Sequence, residues 1–352
     1  MTASTRTVGN KVTNAAIIGA GGISKRHFEG YRQAGVNVVA IADASEAIRQ
    51  MREKEWDVRV YATAEELLAQ EDVQAVSICT PNTYHAPASI AALEQGIHVL
   101  CEKPLSLDLD ACDAMIAAAR RTGAVLQTGH HLRSNPLART AKRLIDEGRV
   151  GRVTFMRLRQ AHDWGGAEQV RGVFGSLAAS GGGTLLDNGC HMMDLARYFG
   201  GDVRSIYARM ATLKFEIEVE DTAVATLDFE SGAIASVENA WTATGWEESF
   251  HVYGTQGALE CSNRLGKSRL RFLNREFGYS EWHAGDETWY DFAQVDNAHV
   301  RSVVHFIESI EQGTPVVCSG EDGRESVRLV LGAYESARTN LPVPLTLAAQ
   351  PA

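Results

Sequence analysis

The chain has 352 residues, 45% of them hydrophobic and 22% charged, and a formal net charge of -10. That length outgrows a single hydrophobic core and predicts two domains sharing a cleft, with no low-complexity tract to set aside. The acidic balance excludes a general phosphate-backbone binder and so a nucleic-acid partner, and no apolar run approaches the roughly 20 residues that span a bilayer.

The polar start, Met1 to Thr13, lacks the apolar centre of a secretion signal. Cys79, Cys101, Cys112, Cys190, Cys261 and Cys318 form no CxxC pair and sit mostly in apolar surroundings, as free buried thiols do. A cytoplasmic, reducing location is expected.

From Asn14 to about Thr128, apolar runs at Ala15–Ile18, Val36–Ala42, Ala75–Ile78 and Ile97–Leu100 alternate with helix-length segments. The segments Ile23–Ala34, Glu46–Glu55, Pro87–Gln95 and Leu109–Arg121 carry apolar residues at helical spacing. Repeated strand-then-helix predicts a parallel sheet with helices on both faces, joined by right-handed crossovers, that is, a doubly wound Rossmann domain over 1–134.

The first strand runs into Gly19-Ala20-Gly21-Gly22-Ile23-Ser24, which opens a helix. Glycines there permit a tight turn and bring a pyrophosphate onto backbone N–H groups at the positive helix end. Asp43 ends the second strand, where an acidic side chain reaches adenosine ribose hydroxyls and repels a ribose phosphate. No Arg or Lys lies between Asp43 and Ile48, so NAD is expected over NADP.

After Gly148 the pattern changes to extended segments with short connections: Val153–Gln160, Val203–Leu213, Thr222–Phe229, Ala233–Ala240 and Phe250–Gly254. They predict a mostly antiparallel open sheet, giving α/β plus α+β overall, with 135–323 as the substrate-binding and oligomerisation domain. An exposed sheet face of this size points to a homo-oligomer, dimer or tetramer. Val300–Gln312 and Glu325–Arg338 return to helical spacing, and a C-terminal helix at about 324–340 is expected to pack back on the first domain.

Lys103, within Glu102-Lys103-Pro104, stands at the end of a parallel strand, where ligands bind in open α/β sheets. Asp187 and His191 are four apart after the Gly181–Gly183 run and would share one helix face as an acid–base pair. A carboxylate there would orient the ring and favour its charged form. His162 and Trp164, just before Gly165-Gly166, suit stacking on a sugar face. Read singly, these residues have plain structural alternatives: Asp43 a helix cap, Lys103 a solvated lysine, Asp187 a cap beside a packed histidine.

Taken in order, the glycine turn, Cys79-Thr80-Pro81-Asn82-Thr83-Tyr84-His85, Glu102-Lys103-Pro104 and Gly181 through His191 make the chain resemble the glucose–fructose oxidoreductase and inositol dehydrogenase (Gfo/Idh/MocA) family. The resemblance implies that Thr80, Pro81 and Asn82 line the nicotinamide side of the cofactor, with His85 and Glu102 beside them, and that Lys103 reaches the reacting centre. It implies that Asp187 and His191 flank the substrate hydroxyl. Arg133 falls where the family chain crosses between domains and is a candidate cofactor or substrate contact. Arg171, Val173 and Phe174 stand where several members carry a Trp-Arg pair, which leaves the substrate open.

The expected reaction is oxidation of a secondary hydroxyl of a sugar or cyclic polyol. His191 takes the proton, Lys103 and Asp187 polarise the oxygen, and NAD accepts the hydride. Lys103 is the alternative base. No metal is expected, since no HxxxH or cysteine-rich pattern appears. His85, His130 and His131 receive no catalytic role. Two alternatives remain: glycoside cleavage through transient oxidation and elimination, and a non-catalytic dinucleotide sensor.

Overall fold

Four short apolar runs followed by amphipathic segments become the core of a six-stranded parallel sheet. The computed structural model describes residues 11–163, 170–263, 268–274, 287–291 and 297–345. Its elements begin β1 (Asn14–Ile18), α1 (Ser24–Gln33), β2 (Asn37–Ala42), α2 (Glu46–Trp56), β3 (Arg59–Tyr61), α3 (Ala64–Gln70) and β4 (Ala75–Ile78). They continue with α4 (His85–Leu93), β5 (His98–Cys101), α5 (Leu109–Thr122) and β6 (Leu126–Thr128). The strand order is β3-β2-β1-β4-β5-β6, all neighbours parallel. Every residue of β4 and β5 is buried, as a sheet covered on both faces requires. The order reverses between β1 and β4, which opens a crevice at the carboxyl ends of the strands.

Asn135 then caps α6 (Pro136–Asp146), its side chain accepting from Leu137 N, with Pro136 in the first helical position. The second sheet is built from β7 (Val153–His162), β8 (Val203–Ala211), β9 (Thr222–Phe229), β10 (Ile234–Ala240), β11 (Trp246–Gly254), β12 (Gly257–Ser262), β13 (Arg269–Asn274) and β14 (Glu287–Asp291). Its order is β14-β13-β12-β11-β7-β10-β9-β8, antiparallel except for the parallel pair β7–β10. The inward positions pack on α7 (Cys190–Gly200), whose Met192, Met193, Leu195 and Phe199 are buried.

Two C-terminal helices tie the halves together. α8 (Ala298–Gln312) lies within the stretch expected in the substrate domain, yet it packs on α1. Its Val303, Phe306, Ile307 and Ile310 join Val12, Ile17, Tyr31 and Ile41 in one core. The close approach requires Gly30, where an added Cβ would stand 2.5 Å from Val303 Cβ. α9 (Gly320–Thr339) sends Val327 into the core of the parallel sheet and Leu329, Val330 and Ala333 into that of the second sheet. The expected packing of the C-terminal helix on the first domain is thus half of what it does. β15 (Val343–Pro344) closes the edge beside β8.

Candidate active site

The glycine turn divides by purpose. Gly19 has φ +88°, and a Cβ on it would lie 2.5 Å from the Cys79 carbonyl carbon, so the fold itself demands glycine. Gly21 and Gly22 have nothing within 4 Å of a built Cβ, so the protein imposes no such demand at them. A ligand lying on the backbone would. Ser24 is buried and donates to the Gly21 carbonyl, holding the turn to α1.

Asp43 Oδ2 accepts from Ala20 N at 2.8 Å and Oδ1 from Ser45 N at 2.8 Å. Its carboxylate therefore fastens the end of β2 to the glycine turn. Arg49, just beyond the stretch searched for basic residues, donates to the carbonyls of Asp43 at 2.7 Å and Ala44 at 3.0 Å. A cation does stand at this corner, with its charge committed to backbone oxygens. Thr80 Oγ1 is buried without a partner beside Gly19, a polar atom suited to a cofactor amide. Asn82 Nδ2 reaches across to the Ser180 carbonyl at 2.9 Å.

Lys103 stands two residues past β5 and precedes a cis Lys103–Pro104 bond. Its Nζ donates to Asp187 Oδ1 at 2.8 Å and to the Asp187 carbonyl at 2.9 Å. Burial alone would lower the lysine, but the Asp187 carboxylate reverses this and holds the ammonium above the ordinary lysine range. Lys103 is thus held as an ammonium beside Asp187. Asp187 sits in a π-helical turn, Leu185–Gly189, leading into α7, a distortion common at functional sites.

His191, in the first turn of α7, does not pair with Asp187 as the four-residue spacing suggested. Its Nδ1 faces Nδ1 of His130 at 3.2 Å, and its ring meets His131 edge-on with centroids 4.5 Å apart. His131 stacks on His299 at 3.5 Å. Burial, then the neighbouring His131 and Lys103, hold His191 well below the ordinary histidine value. The ring is kept neutral rather than charged, first by burial and then by imidazoles and an ammonium in place of the expected carboxylate. A neutral ring has one lone pair, as a proton acceptor needs.

Asn188 joins this centre to the second sheet. With its amide oriented to satisfy all neighbours, it donates to Asp187 Oδ2 at 3.2 Å and accepts from His162 Nε2 at 2.9 Å and Trp241 Nε1 at 3.1 Å. His162 in turn stacks on Trp246 at 4.5 Å. Trp246 is half exposed and was missed in the sequence; only its pairing opposite His162 across β7 and β11 reveals it. Trp164 lies outside the described residues.

Other expected contacts are structural. His85 Nδ1 stands 2.7 Å from the Pro104 carbonyl and Nε2 3.0 Å from that of Thr80; the buried neutral ring donates to one of them, and neither nitrogen is turned to a ligand. Glu102 Oε1 pairs with His27 Nε2 at 2.9 Å, and Oε2 accepts from Lys103 N at 3.2 Å. Burial raises this carboxyl, yet His27 outweighs it and holds it below the usual carboxylate range. Arg133 is buried against Asp194, with two 2.8 Å bonds, and against Asp322 at 3.0 Å. Its guanidinium is thereby removed from substrate or cofactor. The glycine run before Asp187 serves packing: a Cβ on Gly183 would fall 1.9 Å from the Glu220 carbonyl oxygen. Glu220, also missed in the sequence, accepts from Gly183 N at 3.1 Å, Leu185 N at 2.9 Å and Tyr334 OH at 2.9 Å.

A Rossmann sheet with a glycine turn and a lysine past β5, set against an aspartate and a histidine at the start of the α7 helix that packs on an open sheet, defines the class of two-domain dinucleotide-dependent oxidoreductases. Residues 13–130 match the family described as oxidoreductase family, NAD-binding Rossmann fold, and 138–260 match the GFO/IDH/MocA C-terminal domain. The chain belongs to the Gfo/Idh/MocA oxidoreductase family. It is 31% identical to 1,5-anhydro-D-fructose reductase of Ensifer adhaerens, over 79% of this chain and 81% of that one. It is 29% identical to myo-inositol 2-dehydrogenase of Thermotoga maritima, over 94% and 97%. Among solved structures, levoglucosan dehydrogenase in complex with NADH and levoglucosan superposes with TM-score 0.86 at 23% identity, covering 95% of this chain and all (100%) of that one. WlbA dehydrogenase from Bordetella pertussis, with NADH and UDP-GlcNAcA, gives 0.80 at 25%, covering 96% and 100%.

Proposed function

We propose that the protein is an NAD-dependent dehydrogenase oxidising a secondary hydroxyl of a sugar, sugar derivative or inositol. The observation that carries this reading is the Lys103 ammonium, locked by Asp187 at 2.8 Å beside a neutral, buried His191 at the mouth of the nucleotide crevice. Gly19, Gly21, Gly22, Ile23 and Ser24 would hold the pyrophosphate, Asp43 the ribose, and Thr80, Pro81 and Asn82 the nicotinamide side. The bound cofactor supplies the hydride acceptor. His191 receives the hydroxyl proton, Lys103 stabilises charge on the oxygen, and Asp187 fixes Lys103 in position. His162 and Trp246 form an aromatic wall suited to a sugar ring.

In this reading residues 1–134 are the cofactor domain and 135–323 the substrate domain, with α8 and α9 returning to the former. Phe155, Val224 and Ile234 are exposed on adjacent strands of the open sheet, which supports self-association through that face. The relatives named as inositol dehydrogenase and anhydrofructose reductase support the substrate class. A panel of sugars, glycosides and inositols, followed by NADH absorbance, tests the proposal. Stoichiometric NADH with some member is expected. Glycoside cleavage with no net NADH would replace simple oxidation with oxidation and elimination, and no turnover with any member would favour a sensor.

A further inference from the structure

We propose that His130, Cys190 and His191 form a binding site for a borderline-soft divalent cation of the zinc type, and that its occupancy shuts the enzyme off. One ligand atom from each of these side chains lies within 4.8 Å of the others, and the two imidazole Nδ1 atoms are 3.2 Å apart. A tetrahedral ion with bonds of about 2.0–2.1 Å to nitrogen and about 2.3 Å to sulfur spaces its ligands by about 3.3–3.8 Å, within the reach of side-chain rotation here.

The frame is rigid. His130 follows β6, and Cys190 and His191 occupy the first turn of α7, so three ligands come from two well-packed elements. All three side chains are buried, at 1%, 1% and 4% exposure, where an ion would meet little competing water. His130 Nε2 has no hydrogen-bond partner, so turning this ring toward an ion breaks nothing but its contact with His191. Two imidazoles and a thiol favour zinc-like ions over magnesium or calcium, which prefer oxygen.

The buried Cys190 thiol donates its hydrogen to the Asp187 carbonyl at 3.3 Å and gives that hydrogen up when it ligates an ion. Binding breaks the Sγ–H bond, forms an Sγ–metal bond and releases one proton to solvent, with no change of oxidation state. The Lys103 ammonium opposes a second cation nearby, but it is paired with Asp187, and the new thiolate cancels one unit of incoming charge. Three protein ligands leave a fourth position open. The ion takes the lone pair that His191 needs for the substrate proton, so the expected effect is inhibition.

Cobalt(II) titration of the full chain tests the site without reference to activity. A near-ultraviolet thiolate-to-cobalt band saturating at one ion per chain is expected, and its loss in folded Cys190→Ser and His130→Gln. The inhibitory half rests on the dehydrogenase reading. There, zinc should inhibit the wild type in competition with the polyol and be reversed by a chelator. Cys190→Ser should raise the inhibitory concentration by more than about tenfold, since losing a ligand exceeds the loss of an outer-shell partner. No cobalt band in the folded wild type, or equal zinc sensitivity in Cys190→Ser, overturns the site. Activation by zinc, or unimpaired turnover with the cobalt band present, overturns the inhibitory role while leaving the site.

Discussion

At the scale of single residues, the proposed reaction has Lys103 and His191 serve one oxygen. Replacing either by alanine should lower turnover by about 10²–10⁴-fold while NAD affinity changes little. The double variant should be scarcely slower than the worse single one, because groups acting as a unit do not add; steady-state kinetics beside NAD titration reads this directly. Losses that multiply would mean separate roles. The pH profile has a definite sign. Protonation removes the His191 lone pair, so oxidation falls as pH falls; since burial lowers this ring well below an ordinary value of about 6.5, the profile should be flat through neutrality and drop only in acid. That acid limb should vanish in His191→Ala. Asp43→Ala should weaken NAD more than NADP, because repulsion of a ribose phosphate disappears while Arg49 remains at the corner. Paired dissociation constants decide it, and a wild type that already prefers NADP would refute the role given to Asp43. Lys103, Asp187 and His191 could be singled out in the sequence because their motifs stand in the family's order. Their pairing was not: His130 and Lys103 reach the α7 turn from the ends of β6 and β5, a convergence that no spacing along the chain encodes.

At the scale of elements, two glycines separate packing from ligand binding. Gly30→Ala adds a methyl 2.5 Å from Val303 Cβ, so α1 and α8 must part. Overpacking of this kind costs about 1–3 kcal/mol, more than the helix gains by losing a glycine, and thermal unfolding should show the loss. Gly21→Val meets open space, so the melting temperature should hold while calorimetry finds no NAD binding. Retained affinity would reduce the turn to a plain connection. The alternation of strand and helix up to Thr128 was legible since apolar runs of four to seven residues stand between amphipathic helices. β3 and α3 escaped notice because Arg59–Tyr61 and Ala64–Gln70 are too short to show a period. β12 and β13 were missed for a different reason. Gly257, Glu260, Arg269 and Arg271 interrupt their apolar character, and the strands are held by registered pairing with β11 and with each other.

At the scale of the whole molecule, the Arg133 guanidinium joins Asp194 of α7 to Asp322 of α9 at the crossing between the sheets. Arg133→Ala would leave Asp194, which is 1% exposed, without its counter-charge. Breaking a buried pair in this way costs about 3–5 kcal/mol, so the unfolding midpoint should fall sharply even though no ligand contact is lost. A normal midpoint with altered substrate affinity would instead restore Arg133 to the site. The C-terminal helices carry a consequence for how the chain is made. The first core waits for Phe306 and Ile310, and the second waits for Leu329 and Ala333. During synthesis at about 5–20 residues per second, the interval between Thr128 and Ile310 leaving the ribosome is on the order of ten to forty seconds. For that time the nucleotide-binding half exposes the apolar groove on α1 that α8 later fills. Because neither half is finished until the last helices arrive, a prematurely terminated chain stays marked as incomplete and open to proteolysis.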